Sequence, residues 1–518
     1  MISYPGIQND EALFAVPIYS PSFYAKSLSS NVRLPLMLMS YLGTVKTGLY
    51  TPILKIWQPS ATSIRLPALL LGALTAWLFY LFLEEVAGWR AGLFGITLLA
   101  TDASFLMTTV LDWGPVVIQH LMLVAGLLAV HRFYQIKCTS TKPGAGGLRL
   151  FLGFFLFGLG MWDKALFSWM LIALAVATVL VFPRELARSI SRHYVPLALL
   201  AFCLGAMPLV LYNIDFPLAT IRTNSSFTFN ELGIKFAHFR STLNGSGLFG
   251  YLVKEDHEQP ARQPATGMER LSRRISDAAG APRSGWSGWA LLGCALALPL
   301  VWRTPARRPV LFALVFLVAG WFQMAITRGA GASVHHAVLL WPLPYVVIAV
   351  TLAAARSAWA RATVCILIVF LCGTNLLVAN EYLAKFIRNG AAGSWTDAIM
   401  ALSGHLTQPR AGWVAITDWG MFDNLVVLHK GRLPLALCTD PLTHNPPTQL
   451  DRNYLRGLLA NPENLFVAHT DAYQEFPNVN RRLSELSAEM GYTRKLEHII
   501  RDRNGRPVFE LLRFAPVR

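Results

Sequence analysis

Near the ends of the apolar runs of this sequence, acidic residues are few. Asp10-Glu11 stand in NDEALFA, Asp112 in TTVLDWGPV, and Asp163 precedes Lys164 in GMWDKALF. Asp102 lies shortly before Asp112. A carboxylate at the lip of a membrane cavity can take a proton from an attacking hydroxyl, and a lysine there can clamp a phosphate. Plainer roles also fit. Asp10 can cap a helix, Asp112 can cap the helix beginning near Pro115, and Asp163-Lys164 can be a solvated turn. His335 and His336 stand at the end of another apolar run, where they can meet an acceptor or a phosphate, or simply face water.

The elements that must position these residues are membrane helices. Of 518 residues, 54% are hydrophobic and 14% charged, against about 25% charged in soluble domains. The apolar residues fall in runs near the 20 or so needed to cross a bilayer: 64–83, 91–107, 115–134, 149–162, 165–182, 194–213, 286–302, 309–326, 336–354 and 361–379. The break between the fourth and fifth is Asp163-Lys164, since two charges are costly at a bilayer centre. The net charge of +16 does not indicate nucleic acid. Lys and Arg gather in the links 132–149, 183–193, 303–309 and 355–361, all on one side of the alternation. Basic links stay cytoplasmic, so residues 1–63, Asp112, Asp163-Lys164, the polar loop 215–285, the link 328–335 and the tail are expected outside.

Residues 34–56 are apolar but interrupted by Gly43, Lys46, Gly48 and Pro52, and are expected to form an interfacial helix. The expected divisions are a first outer loop (1–63), a multi-span catalytic domain (64–380) and an extracytoplasmic α/β domain (381–518). In the last, 413–417 and 464–469 read as buried strands, 480–490 as an amphipathic helix, and Asn504-Gly505 as a hairpin turn. The six cysteines show no metal-site spacing. The repeat of Asp-Trp-Gly at 112–114 and 418–420 reads as coincidence.

The order of these features resembles the GT-C membrane glycosyltransferases, in the branch of protein O-mannosyltransferases, aminoarabinose transferases and lipopolysaccharide-core transferases. The resemblance covers about residues 5–355. It rests on the acidic pair in NDEALFA, then RLPLMLMSYL, SIRLPALLLGALTAWLFYLF, LDWGP, GLGMWDKALF and HHAVLLWPLPY. It implies a polytopic helical enzyme of the cytoplasmic membrane that moves a sugar, hexosyl or mannosyl in type, from a polyprenyl phosphate to a glycan, lipid or protein acceptor. Asp10 would be the base, with Glu11 adjacent, Asp112 the second acidic residue and Lys164 the donor-phosphate ligand. The family has a helix before the acidic pair, so a membrane helix is expected upstream of Met1.

A polyprenyl phosphate leaves without protonation, so one base and one positive site suffice for an inverting displacement, unlike the paired carboxylates of glycoside hydrolases. Arg65 and Arg33 are further candidates for the positive site, and a divalent cation held by Asp10 and Asp112 is a possible helper. The alternatives are a lipid or solute transporter, which would place ionisable groups at mid-membrane depth, and an assembly protein acting through its tail.

Overall fold

The computed structural model describes residues 2–20, 36–139, 144–224, 226–256, 261–408 and 411–517. Every apolar run is helical. After a single turn α1 (Asn9–Ala12), a hairpin of β1 (Met37–Met39) and β2 (Leu42–Gly43) leads into α2 (Val45–Ile56). The apolar helices follow: α3 (Ala61–Ala87), α4 (Trp89–Thr101), α5 (Ala103–Val110), α6 (Val116–Thr139), α7 (Gly147–Asp163), α8 (Phe167–Val181) and α9 (Tyr194–Asp215). Past a loop helix α10 (Gly267–Ala278) come α11 (Ser287–Leu296), α12 (Arg307–Ile326), the short α13 (Val334–Ala337), α14 (Leu343–Ala353) and α15 (Ala358–Asn389).

Among the described residues, five helices are long and apolar enough to cross a membrane alone, and three bent pairs raise that to eight. The bends have local causes. Asp102 accepts from Phe105 N at 2.6 Å, ending α4 and starting α5 at 61° to it. Pro183 starts a helix at 106° to α8. Helices α7 and α9 pack at backbone distance because glycines face each other. A Cβ on Gly158 would meet Phe202 O at 2.2 Å, and one on Gly205 would meet Phe155 O at 2.3 Å. Small residues let spans approach this closely.

The interfacial helix expected over 34–56 is shorter than that. Residues 34–35 lie outside the described ones, residues 37–39 and 42–43 are paired strands around a turn at 40–41, and the described helix is α2. The cause is Gly43, where a Cβ would fall 1.9 Å from Trp162 O. At that approach the hairpin backbone pairs with the end of α7: Leu42 bridges Lys164, and Ala165 N donates to Tyr41 O at 2.9 Å.

The tail forms a five-stranded sheet in the order β4-β3-β5-β7-β6, from β3 (Val414–Ile416), β4 (Leu435–Leu437), β5 (Leu465–His469), β6 (Tyr492–Arg501) and β7 (Pro507–Pro516), with α16 (Val479–Glu489) packed on it. β3 is parallel to β4 and β5, while β7 is antiparallel to β5 and β6. The strand period puts Val414, Ile416 and Val467 on one face and Ala415, Phe466 and Ala468 on the other. Ile7, Ala12 and Val16 share the first core. The acidic pair is thereby held between the α/β domain and the membrane helices.

Candidate functional site

Glu11 and Arg65 form the anchor. Arg65, fully buried one turn into α3, donates to both Glu11 carboxylate oxygens (Nε 2.7 Å, Nη2 2.8 Å). Its other donors go to Ile2 O at 2.7 Å, Pro5 O at 2.9 Å and Gly6 O at 2.7 Å. Glu11 also accepts from Gln8 N at 2.8 Å, closing a capping box on α1. A guanidinium this saturated has no donor to offer a phosphate. Expected among the phosphate ligands, Arg65 is instead the peg on which the acidic segment hangs, and Glu11 is its counter-ion. Arg33 lies outside the described residues.

One residue earlier, Asp10 faces the other way, as neighbours on a helical turn do. Its Oδ2 accepts from Trp113 Nε1 at 3.3 Å, and no ion pair within 4.0 Å occupies it among the described residues. Burial pushes its carboxyl above the ordinary value, against the pull of Lys164, the Trp113 N–H and Lys46. Lys164 follows α7, its backbone held by the hairpin. Burial pushes its ammonium down to about 8, against the opposite pull of Asp10 and Asp163. Asp163 Oδ2 accepts from Gln119 Nε2 at 2.9 Å, so the neighbouring carboxylate is tied to α6.

Asp112 sits past the end of α5 with φ of +48°, a left-handed position that Asp tolerates better than most residues. Its Oδ1 lies 2.8 Å from Lys46 Nζ, and Tyr50 OH donates to its Oδ2 at 2.7 Å. Lys46 also donates to Asp112 O at 3.1 Å and Gly114 O at 2.7 Å. Burial pushes the Asp112 carboxyl up to about 6, with Lys46 and Tyr50 pulling the other way. It does not cap the following helix; it locks α2 to the α5–α6 turn. A cation shared by Asp10 and Asp112 does not fit here, because Lys46 and Tyr50 already take the Asp112 oxygens and an ammonium repels a metal. Among the described residues no three His, Cys, Asp or Glu side chains converge.

Trp113 links the remaining candidates. Its ring stacks on Tyr251 at 5.3 Å and 10°, tilts against His335 at 4.9 Å, and meets the edge of Trp395 at 5.2 Å. His335 packs on His336 at 4.3 Å, and His336 Nδ1 accepts from Gly331 N at 3.3 Å. Asp10, Lys164, Trp113 and His335 therefore form one neighbourhood built from the first segment, two interhelical turns and α13. Sequence reasoning missed Lys46, Tyr50, Trp113, Tyr251 and Trp395. Lys46 was visible as a charge interrupting an apolar stretch, and Trp113 as the neighbour of Asp112. Nothing local marked Tyr251 or Trp395.

No protein-family model matches this chain, and no curated protein does. Among solved structures it is similar to ArnT from Cupriavidus metallidurans in the apo state, with TM-score 0.55 and 13% identity over 98% of this chain and 93% of that one. It is likewise similar to ArnT bound to undecaprenyl phosphate, with TM-score 0.57 and 12% identity over 98% and 94%. At these identities the likeness carries the fold alone: a bundle of apolar helices long enough to cross a membrane, followed by a C-terminal α/β domain.

Proposed function

We propose that this protein transfers a glycosyl group from a polyprenyl phosphate to an acceptor hydroxyl, at the membrane face that carries Asp10. The observation that carries this reading is the division of labour in the acidic pair. Glu11 is spent on Arg65, while Asp10, with its affinity for protons raised, stands beside Lys164 with no salt-bridge partner among the described residues. The likeness to an ArnT structure holding undecaprenyl phosphate supports a lipid-linked donor.

The chemistry needs no general acid. The acceptor O–H gives its proton to Asp10 as its oxygen attacks the anomeric carbon. The bond from that carbon to the phosphate oxygen breaks with its electron pair, and the configuration inverts. Negative charge growing on the departing phosphate is met by Lys164 in a site of low dielectric. In this reading His335 lines the acceptor side through Trp113. The sugar is hexosyl in type, the acceptor a glycan, lipid or protein, and the site lies on the outer side of the cytoplasmic membrane. The test is turnover of a radiolabelled polyprenyl-phosphate sugar by the purified chain, first with wild type and then with Lys164→Ala. Transfer that needs no lipid-linked donor, or full donor affinity and turnover in Lys164→Ala, overturns it.

A further inference from the structure

Helix α10 is turned inside out. A surface helix of a globular protein normally puts its apolar stripe against the core and its polar face outward. Here Glu269, Ser272 and Ser276 are the residues that face the protein. Glu269 accepts from Arg262 Nη2 at 2.8 Å and from the Tyr4 hydroxyl, Ser272 O accepts from Asn380 Nδ2 at 2.9 Å, and Ser276 donates to Glu381. Met268, Leu271 and Ile275, spaced to form a stripe of their own, are 70%, 50% and 37% exposed. A third face carries Arg270, Arg274 and Asp277, with Arg273 at its edge. None of the three arginines forms a salt bridge with a carboxylate among the described residues.

The depth of α10 follows from α15. Asn380, to which it is bonded, lies 22 residues past Ala358, or about 33 Å along a helix. The hydrocarbon core is about 30 Å thick, so Asn380 and Glu381 mark where α15 leaves it. The exposed apolar side chains of α15, from Trp359 through Ile366 and Phe370 to Leu376, stop at this level. The stripe on α10 thus continues the lipid-facing surface of α15, and its arginines stand at headgroup height.

We propose that α10 is a membrane-surface helix that seats Met268, Leu271 and Ile275 in the leaflet on the Asp10 side and binds anionic phospholipid headgroups through Arg270, Arg273 and Arg274. Three cations against the single Asp277 favour an anionic headgroup over a zwitterionic one. The protein-facing carboxylate of Glu269 ties this helix to Tyr4, in the segment that leads to Asp10. A lipid contact is thereby fastened to the acidic loop.

Insertion and headgroup binding by α10 can be measured without glycosyl transfer. In the full chain freed of native cysteines, a nitroxide is placed singly at 271, 275 or 277 and the protein is reconstituted in phosphatidylglycerol nanodiscs. Collision with oxygen should exceed collision with a water-soluble nickel chelate at 271 and 275, and the order should reverse at 277. A label at 271 as open to nickel as one at 277 overturns the insertion. For the headgroups, purified wild type competing for phosphatidylglycerol over phosphatidylcholine is compared with a variant carrying Arg270→Gln, Arg273→Gln and Arg274→Gln. The preference should fall about fivefold for each arginine lost. Equal preference in wild type and variant overturns the arginine assignment.

Discussion

Asp112-Trp113-Gly114 and Asp418-Trp419-Gly420 are one tripeptide put to two uses. Both aspartates are buried, at 1% and 0% exposure, yet their carboxyls move in opposite directions. Asp418 follows β3 and accepts from Trp419 N at 2.8 Å, Glu475 N at 2.9 Å and Phe476 N at 3.1 Å, with His469 Nδ1 at 2.9 Å. Burial pushes it up, but His469 and the backbone N–H groups outweigh that and leave it below the ordinary value. Asp112 has one ammonium and one hydroxyl, and burial wins. Fixed N–H donors replace lost hydration, so their number decides whether a buried carboxylate holds its charge. The two tripeptides diverge in the same way. The Trp113 indole donates to Asp10, which makes the first copy part of the candidate site, whereas the second copy is a joint inside the α/β domain.

The sharpest test of that division is kinetic. Asp10→Asn keeps the shape next to Trp113 but removes the base, and turnover should fall about 10²–10⁴-fold with little change in donor affinity. Asp418→Asn, in the other copy, should leave turnover within about tenfold of wild type, on the scale below a lost catalytic group. Comparable losses would mean that the α/β domain takes part in the reaction.

Stability should separate the anchors from the base. Lys46→Met strands the Asp112 carboxylate and Glu11→Gln strands Arg65, each costing about 3–5 kcal/mol as a broken buried pair. Asp10→Asn should cost far less in thermal unfolding of the nanodisc-embedded protein. A tolerated Glu11→Gln would show that the anchor is not set by charge.

The alkaline limb of turnover should report Lys164. Its ammonium is lost near pH 8, so transfer should decline above that point. Lys164→Arg, charged throughout, should carry the limb upward whatever its absolute rate. An unmoved limb would assign it to another group.

The two aspartates should also give opposite acid responses. Asp112 is raised when folded, so its contribution to stability grows as pH falls from about 6 towards the unfolded value of about 4. Asp418 is lowered, so its contribution is complete above about 4 and is lost as pH falls further. Hydrogen exchange corrected for intrinsic rates should show the α/β sheet opening first below pH of about 4. Asp418→Asn should flatten that loss and leave the region around α2 unchanged.

The smallest effect is topological. Both tripeptides are proposed to lie outside, so a cysteine replacing the exposed Glu485 on α16 should react with an impermeant thiol reagent on intact cells, while exposed Cys138 should not. Cys438 is buried and should be silent whichever side it faces. Labelling of Cys138 alone would invert the orientation.

Much of this architecture is legible in the chain because its determinants are local. An apolar run of sufficient length makes a helix in a bilayer wherever it falls, so every run read from the sequence is helical. The strands at 413–417 and 464–469, the helix near 480–490 and the Asn504-Gly505 hairpin carry their period and turn chemistry within a few residues. What the chain cannot show locally is who pairs with whom. Arg65 and Lys46 are equally plausible phosphate ligands as isolated cations, yet the fold brings Glu11 to the first across 54 positions and Asp112 to the second across 66. Asp10 and Glu11 have nearly the same chemistry and adjacent places, and only the direction each faces makes one an anchor and leaves the other without an ion-pair partner among the described residues. Gly43 turned an expected helix into a hairpin because of a contact with Trp162 that no window around it contains. Residue type, period and hydropathy fix the elements through short-range energetics; the charge state and availability of a site residue depend on the distant groups that desolvate it or neutralise it, and those are chosen by packing.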